Sequence, residues 1–198
     1  FVKFIKYLVI FFAIQGCSSD YEWGWFILSP NNVEGLTNLK FLISGITTTI
    51  YISVVSIVLA MIIGLVVALP SLSDNKFLSY FNIAYVELVR AIPLLVLILW
   101  IYYGLPIISG ISFSPFVSGI IALTISESAF QAEIFRAGIN SIHRGQHEVA
   151  GSLGMDFWKK MRLVILPQAI KVVLPALGNQ FVYVLKMSSL VSIIGIAD

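Results

Sequence analysis

The sequence predicts an all-α fold, a polytopic bundle of transmembrane helices, and three observations carry that prediction. Hydrophobic residues make up 59% of the chain and charged ones 11%, against roughly 45–50% and 25% in soluble domains; the mean hydropathy is +0.97. Residues 41–73 contain no charge, ample for the roughly 20 residues that a spanning helix needs. The apolar runs are long and lack the alternation of barrel strands, so each segment must satisfy its own backbone as a helix. A net charge of +2 is too small to indicate a nucleic-acid surface. The single Cys17 excludes an intrachain disulfide and a cysteine-based metal site.

The elements follow in order. Lys3 and Lys6 precede the apolar run Tyr7–Ile14, the pattern of a signal peptide or signal anchor. Ile14-Gln15-Gly16-Cys17 loosely resembles a lipoprotein cleavage box, but Gln15 is a poor fit where a small residue is expected, so an uncleaved first helix is the simpler reading. Residues 1–40 are thus a signal-anchor-like helix and an exoplasmic linker with Asp20, Glu22 and Glu34, and with Trp23, Trp25 and Phe26 as an interfacial aromatic anchor. Residues 41–198 form the transmembrane domain. Within the charge-free run, Ser56, Ala60, Gly64 and Ala68 recur every fourth position and form a stripe on which another helix packs closely. Asp74-Asn75-Lys76 ends that segment. A second helix is expected over about 77–105, a loop over 106–115, a third helix over about 116–139, a charged excursion over about 140–170, and a fourth helix over about 172–194. The chain starts at Phe1 rather than Met and stops at Asp198 just after an apolar run, so both ends read as fragment ends.

Arg136, Arg144, Lys159, Lys160, Arg162 and Lys171, half of all Lys and Arg, cluster around the charged excursion. The positive-inside rule places that loop in the cytoplasm. Alternation then puts 106–115 outside, 71–76 inside, 20–40 outside and Lys3 and Lys6 inside.

The excursion itself reads as a pair of short amphipathic helices. Ile142, Val149, Ala150 and Leu153 recur at helical spacing beside His143, Arg144, Gln146 and His147. Gly154 can break the helix or take a positive φ. Phe157, Met161, Val164 and Ile165 resume an apolar face next to Lys159, Lys160 and Arg162. Composition leaves two readings open, a membrane-surface helix on anionic lipid or a grip on a partner outside the bilayer.

Glu148-Val149-Ala150-Gly151-Ser152-Leu153-Gly154, followed after nine residues by Val164-Ile165-Leu166-Pro167, resembles the E-A-A-x3-G-x9-I-x-L-P loop of bacterial ABC importer permeases. In that family the loop docks the membrane subunit onto its ATPase, which implies a coupling role for Glu148, Ala150, Gly154, Leu166 and Pro167. Val149 and Val164 are mild departures. The resemblance extends to the polar amino-acid branch (the histidine, glutamate, glutamine and arginine type) through three further stretches. Glu127-Ser128-Ala129-Phe130-Gln131-Ala132-Glu133-Ile134-Phe135-Arg136-Ala137-Gly138-Ile139 through Gly145-Gln146 is similar to its third-helix signature. Arg90-Ala91-Ile92-Pro93-Leu94-Leu95-Val96 is similar to R-G-T-P-L-L-V, and Lys186-Met187-Ser188-Ser189-Leu190-Val191-Ser192 to the K-D/N-T/S-S-L run. Together these cover about residues 36–198. Leu97 stands where the family often has Gln, and Met187 where it often has Asp or Asn; the family usually has one more helix after the point where this chain stops. The resemblance implies a multi-pass permease of the bacterial inner membrane with the type I importer fold, incomplete at its C-terminus. It also implies ABC ATPase subunits, a second permease copy or paralogue, and an extracytoplasmic solute-binding protein as partners, besides membrane lipid. The 142–154 helix would then act as a rigid lever that rocks the bundle between outward and inward access.

Charges at helix centres cost about 2.5–3.5 kcal/mol on insertion scales, so the polar residues need a reason. Glu87 with Arg90 and Glu133 with Arg136 are three apart and can each neutralise locally. Asn179, Tyr183 and Lys186 share one face of the last helix, and Lys186 has no local acid. A zwitterionic amino acid needs donors for its carboxylate, which Lys186 and Asn179 offer, and an acceptor for its amine, which Glu127 or Glu133 offers; Gln131 completes the expected pathway set. Helix-to-helix hydrogen bonding is the rival role for the same residues. No G-x-x-x-x-G-K-[ST] loop occurs, so the expectation is a transport subunit with no catalytic residues and no cofactor, its ATP hydrolysed elsewhere. His143 and His147 lie four apart without a third ligand, so no metal is expected. A secondary transporter would favour an inverted repeat, which the hydropathy lacks, and a non-transporting assembly subunit would not need the polar face at 179–186.

Overall fold

The computed structural model describes residues 24–31, 33–72 and 76–195, and every regular element among them is helical. Contacts divide the chain into two compact units at Ser44 and Gly45. In the first, a 3-10 turn at Trp25–Leu28 leads to helix α1 (Val33–Ala68), and the Asn38 amide donates to the Ile27 carbonyl at 3.0 Å. The second unit then contains α2 (Lys76–Ala91), α3 (Leu94–Ser109), α4 (Pro115–Asn140), α5 (Arg144–Ser152) and α6 (Phe157–Ile194). The expected signal anchor at 1–14, the box at 14–17 and Trp23 lie outside the described residues, as do the side chains of Trp25 and Phe26.

By length and composition α1 and α6 can each cross a membrane, and α2 with α3 adds a third span when the bent pair is counted as one. Helix α1 has 36 residues, more than the roughly 20 that a spanning helix needs. Helix α4, 26 residues, is about 39 Å long, but with its Ser, Glu and Gln residues it is not among the helices apolar enough to count as a span.

The continuous helix expected over 77–105 is corrected. The chain bends by 91° between Ser79–Ala91 and Leu94–Ser109. Pro93, with φ −59° and ψ 133°, has no N–H to give and biases Ile92 away from helical torsions. The helix then runs on to Ser109, past the expected loop start, and Gly110 closes it in the left-handed region at φ 71°. The last helix also begins earlier than expected. Phe157–Lys160 is not a separate short helix but the first turn of α6, joined through a π turn at Met161–Ile165 to Leu166–Met187 and a 3-10 end at Ser188–Ile194.

Two π turns share one cause. Trp100–Gly104 is followed by Leu105-Pro106, and Met161–Ile165 by Leu166-Pro167. In each, the leucine N–H reaches back five residues, to Trp100 or to Met161. A proline one position later cannot donate to the carbonyl four residues back and its ring crowds that carbonyl; a widened turn relieves the clash.

Helix α4 is the centre of the bundle. Twelve of its residues are buried, most of them Ser, Gly and Ala, and small side chains let neighbouring backbones approach. The α1 stripe packs here: Ser56, Ala60, Gly64 and Ala68 are all buried. Thr124 Oγ1 donates to the Ser56 carbonyl and Ser56 Oγ to the Ile120 carbonyl, both at 3.5 Å. A methyl group on Gly64 would stand 2.6 Å from Gln131 Cβ and 2.9 Å from the Ser128 carbonyl, so only glycine fits. The stripe is therefore bundle packing. On the α6 side, Gly119 meets Val191 and Gly138 meets Val173. Helix α2 is tied on by Asn82, which donates to the Val67 carbonyl, and by Tyr85, whose hydroxyl meets Ser128 Oγ at 2.6 Å.

Candidate functional site

Two regions carry the residues that the sequence singled out: the short helix α5 and the polar interior of α4 against α6. Helix α5 is bounded at both ends by its own side chains and backbone. His143 Nδ1 accepts from the Gly145 N–H at 3.1 Å at the start. At the end, the Met155 N–H reaches the Ala150 carbonyl at 3.1 Å and the Gly154 N–H the Gly151 carbonyl at 2.9 Å, the double bond of a Schellman turn. Gly154 sits at φ 68°, a left-handed conformation that costs other residues about 1–2 kcal/mol. Asp156 then starts α6 by accepting from the Lys159 N–H at 3.0 Å.

The apolar stripe expected on this helix is divided. Ala150 is buried at 2% exposure, whereas Val149 and Leu153 stand exposed at 59% and 70%. Glu148 is exposed beside them. Gln168 Nε2 donates to Gln146 Oε1 at 3.3 Å and to the Val164 carbonyl at 2.9 Å, so α5 is tied to α6 just above the π turn. Leu166 and Pro167 open the regular part of α6, and their side chains are exposed. The arrangement presents an exposed carboxylate and two exposed aliphatic side chains on a helix anchored to a membrane helix.

The expected pathway residues do not converge in one cluster. Glu127 and Gln131, one turn apart on α4, are fully buried. Glu127 Oε2 accepts from Gln180 Nε2 of α6 at 2.5 Å. Glu127 Oε1 and both amide atoms of Gln131 are buried without a hydrogen bond among the described residues. Asn179, Tyr183 and Lys186 lie exposed along α6, and Lys186 makes no ion pair among the described residues. Glu133 is held by Arg136 in a two-point contact at 2.9 and 2.5 Å, the local pairing expected. That contact occupies the carboxylate which was also a candidate acceptor for a substrate amine.

One further expectation is corrected. Arg90 does not pair with Glu87; its guanidinium lies over the Phe130 ring, 5.0 Å from the centroid, where the ring face attracts it. Glu127 takes its donor from Gln180. Gln180 was missed, yet a signal was present. It falls in helical register with the buried positions Ala169, Val173 and Val184, and an amide in such a row has to find a polar partner. No group of three or more metal-ligating side chains occurs among the described residues.

Comparison with known proteins gives one consistent picture. The family described as "Binding-protein-dependent transport system inner membrane component" matches residues 56–197. A probable glutamine ABC transporter permease of Bacillus subtilis is 40% identical over 161 residues, covering 81% of this chain and 74% of that protein. The glutamate/aspartate import permease of Escherichia coli is 35% identical over 185 residues, 90% of this chain and 80% of that one. The crystal structure of an amino acid ABC transporter with histidines superposes with a TM-score of 0.77 at 43% identity, covering 82% of this chain and 76% of its counterpart. An inward-facing structure of a methionine ABC transporter, 24% identical, shares the fold with a TM-score of 0.69 over 78% and 74% of the two chains.

Proposed function

This chain belongs to the family of binding-protein-dependent transport system inner membrane components, and from that premise we propose that it is the permease subunit of an ATP-driven importer of polar amino acids. The relatives named as glutamine and as glutamate/aspartate permeases support that substrate class. The subunit hydrolyses no ATP itself: ABC ATPase subunits on the cytoplasmic side do so, a solute-binding protein delivers substrate from outside, and a second copy or a paralogue completes the pathway.

The observation that carries this reading is helix α5. It is capped at both ends, exposes Glu148, Val149 and Leu153, and is linked to α6 through Gln146 and Gln168. A soluble partner that grips this surface can pull on a membrane helix. Glu148, Ala150, Gly154, Leu166 and Pro167 are the coupling residues in this scheme. Ala150 and Gly154 shape the helix end, and Leu166-Pro167 with the π turn fix the junction to α6. On the substrate side, the pathway set is Glu127, Gln131, Asn179, Tyr183 and Lys186, with Glu133 reduced to a structural partner of Arg136 unless that pair opens. Residues 41–198 make up the transmembrane domain, with its coupling loop at about 140–170.

Co-purification tests the coupling role. Glu148→Arg and Gly154→Asp should lose the tagged ATPase while the permease still inserts at wild-type level. Wild-type recovery of the ATPase with both variants would count decisively against the assignment.

A further inference from the structure

Glu127 is a carboxyl group buried in a membrane-embedded bundle with no cation bonded to it among the described residues. Its one hydrogen-bond partner there is the Gln180 amide, 53 residues away in sequence and 2.5 Å away in space. We infer that Gln180 is a positioning residue for Glu127, setting from α6 how the α4 acid is aimed and when it is reachable. The inference rests on the reading of Glu127 and Gln131 as part of the substrate pathway.

The geometry supports a division of labour between the two carboxyl oxygens. Oε2 is held by Gln180, while Oε1 has no partner among the described residues. One turn along the same face, Gln131 has both amide atoms unpartnered and buried. A buried polar atom left unmade is expensive, and more so as the environment becomes less polar. Two acceptors, Glu127 Oε1 and Gln131 Oε1, with the Gln131 Nε2 donor, suit a ligand that brings both N–H donors and an acceptor: a side-chain amide, or the ammonium and carboxylate of an amino acid taken together. Lys186 does not compete for the acid, because it lies on the exposed side of α6 while the half-buried Gln180 faces α4 and bonds the carboxylate.

Gln180 also belongs to the helix that α5 is tied to. Below it, α6 passes Pro175 and the π turn at Met161–Ile165, and its base is joined to α5 through Gln168 and Gln146. Any displacement of α6 relative to α4 therefore moves the Gln180 amide relative to the Glu127 carboxyl. A contact of 2.5 Å is lost within an ångström or so of travel. The acid is thereby oriented in one position of α6 and released in another.

The test measures binding of radiolabelled L-glutamine and L-arginine to the purified permease–ATPase complex in nanodiscs, with no binding protein, scaled to the amount of assembled complex. Glu127→Gln and Gln180→Leu should each raise Kd at least tenfold for the ligand that the wild type binds. Gln180→Asn, one methylene shorter, should fall between. The double variant should bind no more weakly than Glu127→Gln alone, because Gln180 acts through the acid. Fold-changes that multiply in the double variant overturn the inference. So does an unchanged Kd in Gln180→Leu, which would leave Glu127 in the pathway and make Gln180 a packing contact. An unchanged Kd in Glu127→Gln, or no binding of either ligand by the wild type, removes the pathway reading itself.

Discussion

Replacing Gly154 by Ala should weaken ATPase docking, while replacing Gly151 by Ala, three residues earlier, should not. Gly154 sits at φ 68° with open space around the position of a side chain, so the cost is conformational rather than steric, about 1–2 kcal/mol. Gly151 is helical and also faces open space; there alanine gains about 0.5–1 kcal/mol in helix stability. Helix α5 has nine residues, too few to persist in water without its caps, so both changes act on the fraction of α5 that is formed. A loss of 1–2 kcal/mol shifts the formed-to-frayed ratio by about 5- to 30-fold. Where the frayed form becomes dominant, the apparent Kd for the ATPase rises by the same factor. Asn tolerates the left-handed region better than Ala, so Gly154→Asn should recover part of the loss. Titration of the purified ATPase onto the permease in nanodiscs measures all four proteins. Equal affinity for wild type and Gly154→Ala, or equal weakening by the two alanine substitutions, would refute the backbone argument.

Cysteines at Ser112 and Ser141, with Cys17 replaced, should react with an impermeant thiol reagent from opposite sides of the membrane, since they flank the two ends of α4; labelling from one side alone would undo the topology. Gly64→Val should lower the thermal stability of the purified permease by an amount typical of core overpacking, about 1–3 kcal/mol, because Gln131 Cβ and the Ser128 carbonyl already occupy the space. An unchanged melting curve would mean that α1 does not pack on α4 as closely as described. Lys186→Met should cut amino-acid uptake per assembled complex at least tenfold, Lys186→Arg should keep part of it, and adding Glu127→Gln should restore nothing, since Gln180 rather than Lys186 bonds that acid. Recovery of uptake in the double variant would reinstate an ion pair between the two.

The helices centred on α1, α4 and α6 were legible in the sequence because charge-free length, small-residue spacing and basic clusters are local signals that act through hydrophobic transfer and propensity. Helix α5 was legible for the same reason, and Gly154 announced its end. The bend at Pro93 was also written locally, but the apolar run on either side masked it; the missing N–H outweighs the hydropathy of its neighbours. Two long-range outcomes lay beyond local reading. Whether Glu127 would meet Lys186 or Gln180 depends on how α4 and α6 rotate against each other, and that rotation is set by glycines such as Gly119 and Gly138 receiving Val191 and Val173. Likewise, the sequence marked Asn179, Tyr183 and Lys186 as one polar face, but only the packing of α6 onto α4 turned that face outward and brought Gln180, one residue on and half-buried, against Glu127. Sequence thus determined which segments are apolar enough to enter a membrane and which charges need partners. The partners themselves were decided by tertiary structure, because a buried polar group takes the nearest donor that helix packing delivers.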